Sequence, residues 1–304
     1  MKIIKYKNFY LAFSLILAIS FYLITFLYYG GFEKSITFNG GIRITLIMPE
    51  GKTKNDVEDG VKKAGFNKFS VRQVDLKENK YDIEFGPEVR ELLKEQAKDK
   101  RNIAEQLELN LLPYINIPKE NIISREIISA SYGFNLFETA LSALFWTIVL
   151  ITVYVSFRFD FSFALGATLA LVHDLIIAIG FIGVARIEPS IPVVAAILTL
   201  LGYSINDTII IFDRIRKKIR DKNDLSNQSL LDSAIVETFS RTIITSSLTM
   251  LSLIAIVISK AESLIDFSLV LLFGIIIGTY SSIAIATPIM YTYEKFRLKR
   301  SAAT

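Results

Sequence analysis

The chain alternates between long apolar windows and one stretch of mixed, charged sequence. Phe9 to Tyr29 carries no charged residue. Five more windows, 137–157, 161–185, 191–212, 242–258 and 264–291, are each about the length a helix needs to cross a bilayer, ~20 residues. This predicts six transmembrane helices. The short basic segment 1–8 stays in the cytosol, and 9–29 reads as an uncleaved anchor, because no small-x-small cleavage site follows it.

Residues 30–136 are different material. Ile42 to Met48 is β-rich, and Thr53 can cap a helix running to Ala64 and ended by Gly65. Phe69 to Val74 and Tyr81 to Phe85 alternate as strands. Glu88 to Leu112 reads as a charged amphipathic helix stopped by Pro113, and Ile122 to Ile128 as a last strand. The order β-α-β-β-α-β is that of a ferredoxin-like α+β domain.

Basic residues orient the whole. The segment 213–241 holds Arg214, Arg216, Lys217, Lys218, Arg220, Lys222 and Arg241, and the tail 292–304 holds Lys295, Arg297, Lys299 and Arg300. The loops at Arg186 and Lys260 hold one basic residue each. Both termini and the basic loop are therefore expected in the cytosol, with the 30–136 domain outside. Within the basic loop, Leu230, Leu231, Ala234, Ile235 and Phe239 recur at helical spacing and predict a short helix against the membrane or bundle. In the last window Gly274, Gly278, Ser282 and Ala286 form a small-xxx-small ridge suited to close helix packing.

Composition removes several classes. At 52% apolar residues and a mean hydropathy of +0.43, the chain of 304 residues is not an ordinary soluble domain. With no cysteine and one histidine, a His/Cys zinc site is excluded, and no metal or cofactor is expected. No basic face with interleaved aromatics points to nucleic acid, and no Gly-x-x-x-x-Gly-Lys-Ser/Thr loop points to ATP hydrolysis.

The candidate chemistry lies inside the spans. Asp207 sits in 191–212, and His173 and Asp174 sit in 161–185. A carboxylate at membrane depth costs at least ~2.5–3.5 kcal/mol, so each is a functional candidate by default. Asp207 is about 8 Å inside the boundary drawn at Phe212, Asp174 about 20 Å inside, and Arg241 stands near the boundary with reach to Asp207. Burial disfavours a charged carboxyl and a nearby arginine favours it, so a group under both influences can change protonation as helices move. A second reading stays open for each: Asp207 as a structural hydrogen-bonded carboxylate, Arg241 as a positive-inside flank, and His173 as a structural partner of Asp174.

Gly202-Tyr203-Ser204-Ile205-Asn206-Asp207-Thr208, continuing to Phe212-Asp213-Arg214-Ile215-Arg216, resembles the signature of the SecF family. Arg241 to Ser246 is similar to that family's fifth-span motif, His173-Asp174 to its third-span pair, and Phe38-Asn39-Gly40-Gly41 to its Asp-Phe-x-Gly-Gly element, with Thr37 in place of the aspartate. Ile128 to Gly133 matches the Val-Gly-Pro element only loosely. The resemblance implies an RND-type half that works with SecD, the SecYEG channel and often YajC in the bacterial inner membrane. It also implies use of the proton-motive force to move unfolded proteins outward, without hydrolytic chemistry of its own. It assigns proton coupling to Asp207 and Arg241 with Asp174 third, and supporting roles to Asn206, His173, Gly202, Tyr203 and Thr208. The alternatives are an RND exporter of lipid or small molecules and an intramembrane aspartyl protease. The protease needs two carboxylates at one depth, whereas Asp174 and Asp207 differ here by ~12 Å of rise.

Overall fold

The computed structural model describes residues 3–33, 35–49, 51–75, 78–89, 93, 103–222, 227–259 and 261–301. Among these, six helices are long and apolar enough to cross a membrane: Ile4–Tyr28, Gly133–Arg158, Phe161–Val184, Ile191–Arg220, Gln228–Ile258 and Leu264–Leu298. The first is a 3-10 turn, then α1 (Lys7–Leu23), then a π-turn, Ile24–Tyr28. A short α2 (Ile36–Asn39) leads into the extramembrane domain.

That domain contains β1 (Gly41–Ile47), α3 (Lys54–Lys63), β2 (Phe69–Asp75), β3 (Lys80–Phe85), α4 (Ile103–Ile115) and β4 (Ile122–Ile128). The strands form one antiparallel sheet in the order β2-β3-β1-β4. Alternation sorts β1 as expected for a half-covered sheet: Ile42, Ile44 and Leu46 are buried against Val57, Val61, Leu107 and Leu111. Arg43 and Thr45 face the other way. Arg43 pairs with Glu84 at 2.8 Å and Glu126 at 3.2 Å, and Thr45 donates to Asp82 at 2.7 Å. The start of α3 is held by Asp56, whose carboxylate accepts from the Thr53 backbone N–H at 2.7 Å and hydroxyl at 3.0 Å.

Two local details differ from the sequence reading. Pro113 does not stop its helix, which continues to Ile115. Near a helix end, a proline removes only the bond to the carbonyl of Leu109, a residue 54% exposed and open to water. The expected start of that helix at Glu88 falls largely on 90–92 and 94–102, outside the described residues, as does Lys260.

The membrane part is α5 (Ala130–Arg158), α6 (Phe161–Val184), α7 (Ile191–Lys222), α8 (Gln228–Ile258), α9 (Glu262–Ser281), a π-turn at Ser282–Ala286 and α10 (Thr287–Ser301). The helix of the fourth span runs ten residues past Phe212, its first exposed turn held by Asp213 with Arg216 at 3.2 Å and Lys217 at 2.9 Å. The short helix expected around Leu230 is the beginning of α8. It buries Leu230, Leu231, Ala234 and Ile235, while Phe239 is exposed. There Asp232 Oδ1 accepts the backbone N–H of Ile3 at 3.0 Å and of Ile4 at 3.1 Å, tying the start of the chain to α8.

The bundle and the domain have separate apolar cores. Between them Phe38 packs on Phe137, 5.9 Å between ring centroids, and a set of charged contacts lies nearby. Arg72 on β2 reaches Glu188 at 3.3 Å and Asp266 at 3.8 Å, and Arg186 pairs with Glu33. A cleft of about 600 Å³ lies beside this junction, lined among others by Glu33, Lys68, Glu84, Arg186 and Glu188.

Candidate functional site

The fourth-span motif is sorted by the helix period. Val193, Ala196, Leu200, Ser204, Asp207, Thr208, Ile211 and Ile215 make one buried stripe of α7. Ala195, Thr199, Gly202 and Asn206 make an exposed stripe on another side. Asp207 therefore occupies a core position of a membrane helix, with no exposed surface.

Close helix approach completes the surroundings. A Cβ on Gly274 would lie 2.8 Å from a Leu200 methyl, and one on Gly278 would lie 3.0 Å from Ser204 Cβ. The small-residue ridge thus seats α9 directly on α7. A Cβ on Gly166 of α6 would lie 2.5 Å from the Ala286 carbonyl oxygen, so the π-turn lies against α6.

Asp207 Oδ2 accepts from Thr279 Oγ1 at 3.4 Å, and Oδ1 has no hydrogen-bond partner among the described residues. Asp174, also fully buried, accepts Ser204 Oγ at 2.5 Å and Ser281 Oγ at 2.8 Å, and its Oδ1 lies 3.0 Å from His173 Nδ1. The other ring nitrogen of His173 is buried without a partner among the described residues. Tyr203 Oη lies 3.5 Å from Ser246 Oγ, which lies 3.0 Å from Thr279 Oγ1. Thr208 donates to its own helix at the Ser204 carbonyl, 3.2 Å away.

Two expectations change. The ~12 Å depth difference between the aspartates does not persist, because Asp174 is bonded to Ser204, three residues or about 4.5 Å of rise from Asp207. Counting rise along two separate helices gives relative depth only where they run parallel, and it leaves out the reach of the Asp174 and Ser204 side chains toward each other. Phe212 packs on Phe163 near the start of α6, 5.0 Å between ring centroids, while α7 continues beyond it. The carboxyls still have separate partners. Second, Arg241 is exposed and makes no ion pair with Asp207 within 4 Å; α8 turns Thr242 and Ser246 inward instead, and Arg241 acts on Asp207 only as a more distant charge.

Sequence reasoning missed Thr279 and Ser281, although Thr279-Tyr280-Ser281-Ser282 is a run of hydroxyls inside an apolar span, and it carried Ser246 only as the end of the fifth-span motif. Among the described residues, no group of three His, Cys, Asp or Glu side chains is arranged to hold a metal ion.

The family model for "Protein export membrane protein SecD/SecF, C-terminal" matches residues 114–296. A protein translocase subunit SecF of Sebaldella termitidis is 36% identical over 303 residues, covering 98% of this chain and 93% of that protein. The chain belongs to the SecF family. A SecF of Borreliella burgdorferi is 31% identical over 309 residues, covering 96% of this chain and 97% of its own length. Among solved structures, SecDF of Thermus thermophilus, described as a translocon-associated membrane protein, is similar with a TM-score of 0.76 and 30% identity. The match covers 96% of this chain and 38% of that one. A super-membrane-facing form of SecDF is similar with a TM-score of 0.68 and 27% identity, covering all of this chain and 40% of that one. This SecF-family chain thus spans about two-fifths of the SecDF chains it resembles.

Proposed function

We propose that this chain is the SecF half of a SecD–SecF unit that uses the proton-motive force to assist protein export across the bacterial inner membrane, with Asp207 as the coupling acid. The observation that carries this reading is Asp207 itself. It is a carboxyl at a core position of a membrane helix, and among the described residues one of its oxygens has no partner and no ion pair holds it permanently charged. Such a group can gain and lose a proton when its surroundings change. One charge crossing ~100 mV releases about 2.3 kcal/mol, enough to bias two conformers if protonation favours one. Asp174, one turn away with its own donors, is the second acid, and Arg241 supplies the nearby cation.

The concentration of basic residues on the 213–241 side supports cytosolic termini and an external 30–136 domain. The connectivity of that domain, a split β-α-β, supports the ferredoxin-like class. SecD is the partner on the family evidence, and the exposed stripe Ala195, Thr199, Gly202 and Asn206 suits a covering helix better than lipid, because asparagine is costly against hydrocarbon. The SecYEG channel, YajC and an unfolded substrate complete the proposed assembly. The test is export in partner-containing vesicles with Asp207→Asn at equal abundance. Export that loses its dependence on the proton gradient while SecD still co-purifies supports coupling through Asp207. Unchanged export overturns it and leaves a scaffold for SecD.

A further inference from the structure

Hydroxyl side chains in membrane helices usually fold back on their own backbone, and here Thr168, Thr199, Thr208 and Thr245 each donate to the carbonyl four residues earlier. Ser246 and Thr279 do otherwise. Their oxygens face each other across α8 and α9 at 3.0 Å, and each has one further partner on α7. For Thr279 that partner is Asp207 Oδ2 at 3.4 Å, and for Ser246 it is Tyr203 Oη at 3.5 Å. Three helices thus converge on one line of oxygens, Tyr203–Ser246–Thr279–Asp207.

We propose that Tyr203, Ser246 and Thr279 form a hydroxyl relay that admits protons to Asp207 from the outer side of the membrane. This rests on the reading of Asp207 as the coupling acid and gives that acid its entry path. Each hydroxyl has one proton to donate and lone pairs to accept with. When Asp207 is ionised, Thr279 donates to it, Ser246 to Thr279 and Tyr203 to Ser246, so all three O–H groups point the same way. A proton arriving at the Tyr203 oxygen is retained as Tyr203 passes its own to Ser246, Ser246 to Thr279 and Thr279 to the carboxylate. Each hydroxyl ends with the one proton it began with, the carboxylate becomes a carboxylic acid, and rotation of the three O–H bonds resets the line.

The direction follows from the helix order. In the orientation proposed above, Tyr203 is four residues, about 6 Å, outward of Asp207 along α7, and Ser246 is five residues, about 7.5 Å, outward of Arg241 along α8. Tyr203 is only partly buried, beside the exposed Gly202 and Asn206, so the line ends at the face proposed above for SecD, between the two halves. Arg241 stands on the opposite, inner side, at an exposed position of α8.

The relay is tested with the full chain and its SecD partner reconstituted in vesicles whose external domains face outward, with a pH-sensitive dye inside. The outer solution is acidified and the rate of proton entry is read. Tyr203→Phe, Ser246→Ala and Thr279→Val should each slow entry on the order of 10²-fold, the low end for a positioned proton-transfer group. A double variant should lose no more than a single one, and Ser246→Thr should restore entry. If these variants admit protons at the wild-type rate while Asp207→Asn is silent, the relay is overturned and the coupling reading stands. If Ser246→Thr is as slow as Ser246→Ala, packing rather than the hydroxyl is responsible, and the relay is again overturned. If Asp207→Asn admits protons normally, both readings fall.

Discussion

A buried carboxyl is defined by its donors, and the two aspartates have different ones. Asp174 is saturated by Ser204, Ser281 and His173, whereas Asp207 has a single long contact to Thr279. This difference predicts different consequences of losing a hydroxyl. Ser281→Ala removes a donor 2.8 Å from a fully buried carboxyl. It should lower the stability of the purified protein by about 1–3 kcal/mol, read as a lower denaturation midpoint in detergent. Little or no shift would mean that Ser204 and His173 alone satisfy Asp174. The aspartates themselves are legible in the sequence, because a charge in an apolar window is conspicuous. Their donors are not, since serine and threonine are common in membrane helices and only the packing of the helices selects which of them meet a carboxyl.

At the scale of the helices, glycine decides what the acids can touch. Gly278 brings α9 close enough to α7 for Thr279 to reach Asp207, while its neighbour Ser281 bonds to Asp174 on α6. Gly278→Leu should force the two helices apart, lowering the unfolding midpoint by the equivalent of about 1–3 kcal/mol, the usual range for overpacking. It should also abolish gradient-dependent export. A leucine variant with normal stability and export would show that the close approach is not required. The number of spans and the small-residue ridge follow from hydrophobic pattern and residue size, both present in the sequence. The ends of the helices follow from elsewhere. α7 outruns its apolar window because exposed ion pairs prolong it, and α4 passes through Pro113 because water can take the place of one backbone bond. Both hold outside the hydrophobic pattern and so escape it.

For the whole molecule, the charged seam between domain and bundle is the place where external conditions act. Burial is the main cause that raises the Glu188 carboxyl above its ordinary range, with Glu84, Asp266 and Glu33 adding to it and Arg72 opposing. A carboxyl raised in the docked state holds its proton more tightly there. Its contribution to docking is complete at low pH and is lost as pH rises through the raised value. The protection of β2 amides relative to unstructured ones should therefore be greatest in acid and fall toward neutral pH, and Glu188→Gln should flatten that dependence. Lower protection in acid, or an unchanged profile in the variant, would contradict this assignment. The clamp of Ile3 and Ile4 by Asp232 has a consequence for manufacture. Those amides wait for a partner 229 residues further along, which at ~5–20 residues per second is about 10–45 s of synthesis. During that interval the apolar side chains of Ile3 and Ile4 lack their final cover. That end of the bundle is thus sealed late, after most of the helices have already been delivered to the membrane.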